Sequence, residues 1–496
     1  MMYRHNKNQI RVRYFISTSL TGLVLLIAAL SPFMSHAQED ISLPTLGDAT
    51  SGVISLQQEK SLGQYWLKSL RRQVKTFDDP VVNQYLNDLV YRLIPNSELS
   101  DRSVQTIIVD SAQLNAFAVP GGIVGINAGL FLYANNEQEF SSVLAHELAH
   151  LSQRHFARSV ERQQNNTPLA LAGLLASIVI GAAAGPDAGL AVLAGSQALS
   201  VQNQLSYSRQ NEQEADRIGI NTLYQSGFDP YAMPAMFERM LQQSRLQGEA
   251  PPEYLSTHPV TESRVADTRN RAEQYPKVAV PDSLDFYEMK ARVIIHYANS
   301  PNQAVNQFQQ AVKNSTGNEQ IVQQYALAAA YIDAGNPGKA TPLAEALTQK
   351  YPHNLIYREL YGAALLAEKK LASAEEHLKT SLNFSPKNYP LQVLLARTYE
   401  TQNRLIEAQS VLKVLTKENP QRPDLWYQLA EVNGLAGDII DLYRARAEYF
   451  YLLGNFEKAQ ENLRLAIKRN GDRYPLNTVL QSRMDSITRE KKENRF

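Results

Sequence analysis

The chain has 496 residues, with 49 basic and 49 acidic side chains and no cysteine. Its length exceeds that of one ordinary domain and predicts two to four. The even charge balance, without a basic stripe, argues against nucleic acid as a partner. The absence of cysteine excludes disulfides, thiolate metal ligands and cysteine nucleophiles, so any metal ligand must be His, Asp or Glu.

The first 37 residues have the pattern of a secretory signal peptide. Four basic residues between positions 4 and 13 precede an apolar run from about Leu20 to Leu30, and Ser35-His36-Ala37 offers a small-x-small cleavage site. The alternative is a membrane anchor, but the apolar run is short for a spanning helix. We therefore expect cleavage after about Ala37 and export. A chain without thiols also suits an oxidising compartment such as the bacterial periplasm.

Helices and a small sheet are predicted ahead of the motif that carries the chemistry. The predicted elements are helices at about 54–74 and 80–93 and strands at about 104–109, 116–119 and 123–126. Pro120-Gly121-Gly122 joins the last two strands. The segment Asn115–Gly122 suits two roles equally: a sheet edge that pairs with an extended substrate, or plain scaffold.

The stretch Ser141–Leu151 carries the strongest chemical signal, on a predicted helix capped at Asn135-Asn136. His146 and His150 are four residues apart, so a helix aims both imidazoles at one point. Two such nitrogens suit a zinc ion, and Glu147 can reach a metal-bound water as its general base. Structural histidines are the plainer interpretation, but the apolar flanks of the motif would bury the helix and hold ligands rigidly. The motif predicts a hydrolytic site with one zinc ion.

The same helix is predicted to continue to about Gln164. His155 would then lie off the ligand face, five residues past His150, and we expect it to be exposed rather than coordinating. Gln153 and Phe156 stand where zinc proteases with three histidine ligands carry glycine and histidine. A third ligand must therefore come from elsewhere in the chain.

Residues 169–198 are rich in alanine, leucine and glycine. Each half of this stretch is short for a membrane span, so a packed helical hairpin near the site is the default expectation. Peripheral contact with a membrane surface and a mobile lid are the alternatives.

The next predicted helix ends at Gly227 and carries two carboxylates on one face, Glu212 and Asp216. This spacing suits one carboxylate on the metal and a second that hydrogen-bonds a ligand histidine. The alternative is a solvated face paired to Arg209 and Arg217.

With both helices considered, His146-Glu147-x-x-His150 followed by Glu212-x-x-x-Asp216 resembles the gluzincin family of the HtpX heat-shock, CAAX prenyl and mitochondrial Oma-type proteases. Asn115–Gly122, and Thr257-His258-Pro259 followed by Arg264, are similar to the soluble members of that family. The resemblance covers about residues 55–275. It implies that His146, His150 and Glu212 are zinc ligands. It also implies that Glu147 is the catalytic base and that Asp216 is a carboxylate supporting a ligand.

His258 bears on whether such a site is open. As a bare sequence, Thr257-His258-Pro259 is a loop with an ordinary surface histidine. Its position in the family pattern makes His258 a candidate for one of two roles. Its imidazole can donate to the tetrahedral oxyanion, or it can be a fourth ligand that occludes the metal.

Beyond about residue 281 the chain repeats every 34 residues, the period of the tetratricopeptide repeat. The positions that recur at this spacing are Pro352, Pro386 and Pro420; Ala340, Ala374 and Ala408; and Tyr331, Leu365 and Tyr399. We expect four or five units, the first near Ala304 and the last resuming at Gly454, with an atypical terminal helix. Stacked units form a concave surface suited to peptides or proteins.

The predicted fold is α+β and mostly helical. Its parts are a signal peptide at 1–37, a gluzincin zinc-metalloprotease domain with a small β-sheet at 38–280, an all-α tetratricopeptide-repeat solenoid at 281–486 and a charged tail at 487–496. An exported gluzincin with such repeats resembles periplasmic quality-control proteases of Gram-negative bacteria. That resemblance implies unfolded or stalled outer-membrane β-barrel proteins as substrates, some assistance to their assembly, and contact of the repeats with the barrel-assembly machinery. The alternative is a chaperone or adaptor with a silent zinc site, against which the intact Glu147 argues.

Overall fold

A computed structural model describes residues 54–162, 198–247, 253–277, 280–471 and 473–493 of the chain. The predicted signal peptide lies outside these residues, as does all but the last residue of the apolar stretch 169–198. The described residues all belong to one compact unit. No helix among them is both long enough and apolar enough to cross a bilayer.

The described chain is mostly helical with one small sheet, as predicted. The strands are β1 (Gln105–Val109), β2 (Ala116–Val119) and β3 (Ile123–Asn127). Strand β3 lies in the middle, parallel to β1 and antiparallel to β2. The predicted turn is confirmed at Gly121 and Gly122, whose φ angles of 82° and 80° favour glycine. A Cβ on Gly121 would lie 2.7 Å from the Cα of Lys60, so this turn packs directly on the first helix.

The described part of the protease region contains nine α-helices besides the sheet. Two of them start at predicted caps: Asp79 accepts hydrogen bonds from the amides of Val81 and Val82, and Asn136 accepts one from that of Glu139. The helices are α1 (Leu56–Gln73), α2 (Pro80–Leu93), α3 (Gly129–Tyr133), α4 (Glu137–Ser152), α5 (His155–Arg162), α6 (Ala198–Gln225), α7 (Ala232–Gln247), α8 (Glu253–Thr257) and α9 (Glu262–Ala272).

The helix predicted to run unbroken to about Gln164 is interrupted, and this prediction was wrong. Helix α4 ends at Ser152, and Arg154 adopts a φ of 49° before α5 begins. The Arg154 guanidinium donates to the carbonyl oxygen of Ile54 at 2.7 Å, which ties the turn to the start of α1. The turn folds His155 back inward, and its exposed fraction is 4%. The expectation that His155 is exposed was therefore also wrong.

The repeat region consists of antiparallel helices at the predicted spacing. Ala340, Ala374 and Ala408 are fully buried, which confirms that small residues allow the paired helices to approach. The helices are α10 (Leu284–His296), α11 (Pro301–Asn314), α12 (Gly317–Asp333), α13 (Pro337–Lys350), α14 (Leu355–Ala367), α15 (Leu371–Phe384), α16 (Tyr389–Thr401), α17 (Leu405–Glu418), α18 (Pro423–Leu435), α19 (Ile439–Leu452), α20 (Phe456–Asn470) and α21 (Leu476–Glu493).

Helix α10 belongs to two hydrophobic cores at once. Phe286, Met289 and Val293 pack in the protease core, whereas Ala291 and Ile295 pack in the core of the first repeats. The predicted boundary near residue 280 falls just before this helix. The two regions are therefore joined by a shared structural element as well as by the chain.

Polar contacts connect the repeats to α1 and α2. The Arg292 guanidinium lies 2.7 Å from an Asp79 carboxylate oxygen and donates to the Tyr325 hydroxyl at 2.9 Å. Near the other end of the repeats, the buried Lys68 ammonium pairs with Glu490 and lies 3.8 Å from the centre of the Tyr451 ring. Part of the repeat surface is thus covered by the chain's own protease helices.

Candidate metal centre

The centre lies where α4 and α6 pack closely against each other. A Cβ on Gly219 of α6 would lie 3.3 Å from the backbone of Ala145 and His146 in α4, so glycine allows the close approach. Asp216 and Glu212 precede Gly219 by about one and two helical turns and lie on the same face of α6. Both carboxylates are therefore directed at the histidine motif, as their spacing predicted.

Four side chains converge at this point. His146 Nε2 and His150 Nε2 are 3.0 Å apart, and they lie 3.4 Å and 3.3 Å from the two carboxylate oxygens of Glu212. His258, just after α8, places its Nδ1 at 3.1 Å from Glu212 Oε1. One ligand atom from each of the four residues lies within 4.8 Å of the others. The structure brings together every residue predicted as a metal ligand.

Glu147 lies beside this cluster and is completely buried. Neither of its carboxylate oxygens has a hydrogen-bond partner among the described residues. His258 Nε2 is 3.6 Å from Glu147 Oε1. A buried carboxylate without a partner is costly, and its presence indicates a ligand, an ion or a water at this point.

Asp216 supports the cluster from behind. Its Oδ1 lies 2.9 Å from His146 Nδ1, and it accepts two hydrogen bonds from Arg264, at 2.7 and 2.8 Å. Arg264 also lies 3.0 Å from Glu212 and donates to the carbonyl oxygen of Pro259, which anchors the His258 loop. Although burial would raise the pKa of Asp216, His146 and Arg264 hold it below its ordinary value.

In the sequence, Arg264 stands out only as part of the family pattern. Its contacts explain the arginine, since a planar guanidinium can grip the Asp216 carboxylate with two N–H groups and still reach Glu212 and the carbonyl oxygen of Pro259.

The electrostatics of the cluster favour positive charge. Burial alone would lower the pKa of His146, but its contacts with Asp216 and Glu212 outweigh burial and raise that pKa to about 9. Burial would raise the pKa of Glu212, but His258 and His150 hold it well below its ordinary value. A site that attracts a proton in this way also attracts a cation, and the two compete.

Two further residues contact the cluster that sequence reasoning did not assign to it. His155 places its Nδ1 at 2.8 Å from His150 Nδ1, and burial lowers the pKa of both imidazoles to about 4. Tyr254 of α8 stacks its ring on that of His258, with 4.8 Å between the centroids. Its hydroxyl is buried without a hydrogen-bond partner in the described part of the chain. No sequence pattern marked His155, because Arg154 is a good helix former and gives no sign of a break.

The donor set fits a divalent transition metal. Imidazole nitrogens and one carboxylate are characteristic ligands of catalytic zinc sites, and the supporting Asp216 is typical of their surroundings. Glu147, which is buried and has no hydrogen-bond partner among the described residues, fits the same interpretation, because it needs a water or a cation nearby.

Comparison with known proteins agrees with this geometry. Residues 80–272 match the model of peptidase family M48, and residues 365–432 match a tetratricopeptide-repeat model. The M48 match contains all four residues of the cluster as well as Glu147 and Asp216. The class of protein is thus a metalloendopeptidase of family M48 followed by helical repeats.

Full-length relatives define the family more narrowly. The chain is 35% identical over 445 residues to the β-barrel assembly-enhancing protease of Escherichia coli O157:H7, covering 90% of each chain. It is 35% identical to a putative protein of that name from Vibrio cholerae, over 85% of this chain and 87% of the relative. The mitochondrial metalloendopeptidase OMA1 of Schizosaccharomyces pombe is 32% identical over 184 residues, which are 36% of this chain and 50% of that one. The chain belongs to the family of β-barrel assembly-enhancing proteases.

Proposed function

We propose that this metalloendopeptidase uses one zinc ion, held by His146, His150 and Glu212, with Glu147 as the general base. The observation that carries the proposal is the convergence of these ligand atoms beside a buried glutamate that has no hydrogen-bond partner among the described residues. Asp216 holds His146 from behind, which favours the ring orientation that a metal requires.

Zinc, when bound, supplies a Lewis acid that polarises the scissile carbonyl and acidifies a water molecule. The chain supplies the rest of the chemistry. Glu147 accepts a proton from the attacking water and later passes it to the leaving amine. Its burial keeps the carboxylate free of competing solvent, and its position next to His146 on α4 keeps it beside the ligands.

We infer that His258 is a fourth ligand that closes the site in this arrangement. Its Nδ1 is as close to Glu212 as the other imidazoles are, and Tyr254 stacks on its ring. A substrate would then have to displace the His258 loop. If this inference holds, His258→Ala raises peptide turnover. A large loss of turnover, with zinc retained, would instead assign His258 to the oxyanion.

The location and substrates are also proposals. We propose that the protein acts in the periplasm on unfolded or stalled outer-membrane β-barrel proteins, and that it assists the assembly of others. We further propose that its repeats contact the barrel-assembly machinery. Support comes from the name of the full-length relatives, the signal-peptide pattern at 1–37 and the repeats, a class of structure that commonly binds proteins.

The test compares wild type with Glu147→Gln in cleavage of casein and of an unfolded outer-membrane protein, with zinc content measured on the same samples. We expect turnover to fall at least about 100-fold while zinc stays near one per chain, since only the base is removed. Glu262→Gln is the matched control, because Glu262 is an exposed carboxylate paired to Arg245 and should leave turnover unchanged. Full activity in Glu147→Gln would contradict the proposed role of Glu147, whereas zinc-loaded wild type that cleaves neither substrate would favour a chaperone or adaptor.

A further inference from the structure

Each histidine of the motif in α4 directs one nitrogen to the cluster and has a partner at the other. For His146 the outer partner is Asp216. For His150 it is a second histidine, since His155 Nδ1 lies 2.8 Å from His150 Nδ1 and the two rings are inclined at 77°. His150 is thus fixed at both nitrogens.

The second nitrogen of His155 continues the network. Its Nε2 lies 3.1 Å from Glu214 Oε2, and Glu214 also pairs with Arg158. Glu214 stands on α6 between Glu212 and Asp216, while Arg158 stands on α5. The third carboxylate of α6 therefore reaches the metal centre indirectly, through His155.

These contacts determine where the protons lie. His150 must present an unprotonated Nε2 to a metal, so its proton lies on Nδ1. That N–H can donate only to an unprotonated His155 Nδ1, which places the proton of His155 on Nε2. This second N–H donates to Glu214. The two ring N–H groups then each have an acceptor, and no other arrangement of two neutral rings satisfies both contacts while leaving His150 Nε2 free.

The backbone is bent to create this contact. In a continuous helix, His155 would point well away from His150, because five residues correspond to about 140° of rotation beyond a full turn. Arg154 instead adopts a left-handed φ of 49°, a conformation that is strained for a residue other than glycine. Contacts of its guanidinium with Ile54, just before α1, and with Glu59 of α1 hold it there. A strained turn that buries a histidine against a ligand points to a role for that histidine.

We propose that His155 is a positioning residue that fixes the tautomer and the ring orientation of His150, with Glu214 and Arg158 holding His155 in turn. This inference rests on the proposed metal-binding role of His150. His155 acts on the cluster through His150 and does not touch substrate.

The test measures zinc affinity of the full-length protein by competition with a chelator. His155→Phe fills the space but offers no acceptor, so we expect about 10–100-fold weaker zinc binding, the usual loss when a partner of a ligand histidine is removed. His155→Asn places an amide oxygen near the position of Nδ1 and should restore affinity to within about threefold of wild type. His155→Gln places its amide near the position of Nε2, so it keeps a donor toward Glu214 but has no acceptor at the position of Nδ1, and it should resemble the phenylalanine variant.

The comparison of His155→Asn with His155→Gln separates the positioning of His150 from the packing of the side chain at position 155. If the phenylalanine variant fails to fold, as judged by thermal unfolding of the metal-free protein, the comparison of Asn with Gln still decides the question. His377→Phe, which removes an imidazole from the repeats, is the control and should bind zinc as wild type does. Equal affinity in Asn and Gln variants overturns the proposal while leaving the zinc site standing. Wild-type affinity in His150→Ala overturns both.

Discussion

Charged side chains are arranged differently in the two regions of the molecule. At the metal centre, the side chains of Glu212, Asp216 and Arg264 are each at most 5% exposed, and Arg264 pairs with both carboxylates. In the repeats, a pair such as Lys387 and Glu418 has exposed fractions of 86% and 38% and a separation of 3.8 Å. Burying charge is costly unless the partners are nearly ideal, so a buried charged cluster signals function more strongly than a surface pair does.

The charged side chains that join the two regions are intermediate in their exposure to solvent. Arg292 is 16% exposed and lies within reach of Asp79 and Glu359, one carboxylate from α2 and one from the repeats. The contrast therefore predicts that substitutions of charged residues destabilise the protein to different degrees. The loss should be large at the metal centre, intermediate where the repeats meet the protease and negligible on the repeat surface.

The largest effect is expected for Asp216→Ala. The substitution removes one of the two buried carboxylates that pair with Arg264, and breaking a buried ion pair from one side costs about 3–5 kcal/mol of unfolding free energy. It also removes the outer partner of His146, so zinc affinity should fall about 10–100-fold. Denaturant unfolding and chelator competition measure the two effects. A variant that is as stable as wild type and binds zinc with the same affinity would show that burial at the centre is energetically unimportant.

Arg292→Met should have an intermediate effect. It removes the charge between Asp79 and Glu359 but keeps much of the apolar volume, and we expect a loss of about 1–3 kcal/mol of unfolding free energy. Zinc affinity should stay unchanged, because none of these residues contacts the ligands. If zinc binding weakened in parallel with stability, the repeats would have to support the centre directly.

The burial of Glu288 indicates that the free energy of unfolding depends on pH. It is fully buried on α10, accepts a hydrogen bond from the Tyr357 hydroxyl at 2.5 Å, and burial raises its pKa to about 8. Since the folded state binds this proton more tightly than the unfolded state, the stability it contributes is present below about pH 4.5 and is lost as the pH rises through about 8. The slope is at most about 1.4 kcal/mol per pH unit.

Glu288→Gln isolates this contribution, because glutamine keeps the shape of the side chain but does not ionise. Urea unfolding at several pH values should show the variant gaining stability relative to wild type between about pH 5 and 8. A constant difference across this range would show that Glu288 titrates normally.

The smallest effect is expected for Lys387→Ala. An exposed pair of this kind contributes less than about 1 kcal/mol, and salt screens it. Unfolding at low and at high salt should give nearly the same free energy as wild type, and zinc affinity and turnover should not change. A substantial loss would mean that surface pairs stabilise the repeats more than their exposure suggests.

Much of the fold and of the candidate site could be predicted from local patterns. The four-residue spacings of His146 with His150 and of Glu212 with Asp216 fix their faces on any helix, whatever the rest of the chain does. Capping by Asp79 and Asn136 is equally local, and the 34-residue period needs only the chain itself. The structure confirms these local features. They could be predicted because each depends on interactions between residues close together in the chain.

What could not be predicted depends on contacts between distant parts of the chain. His155 was expected to be exposed because the helix was expected to continue, and the break depends on Arg154 reaching Ile54, 100 residues earlier. The multiple contacts of Arg264 and the parallel pairing of β1 with β3 likewise require the folded arrangement. Sequence spacing gives the direction of a side chain on its own element, but not the partner it meets.

Helix α10 affects how the two regions can be separated. Its Phe286 ring lies 6.0 Å from that of Phe131 and 5.6 Å from that of Phe140, so it completes the aromatic packing inside the protease. A protease fragment cut near residue 280 would expose those rings to water, whereas a fragment extended through His296 would keep them covered. The transferable catalytic module is therefore longer than the enzyme pattern in the sequence, and a chimera with foreign repeats should be joined after α10.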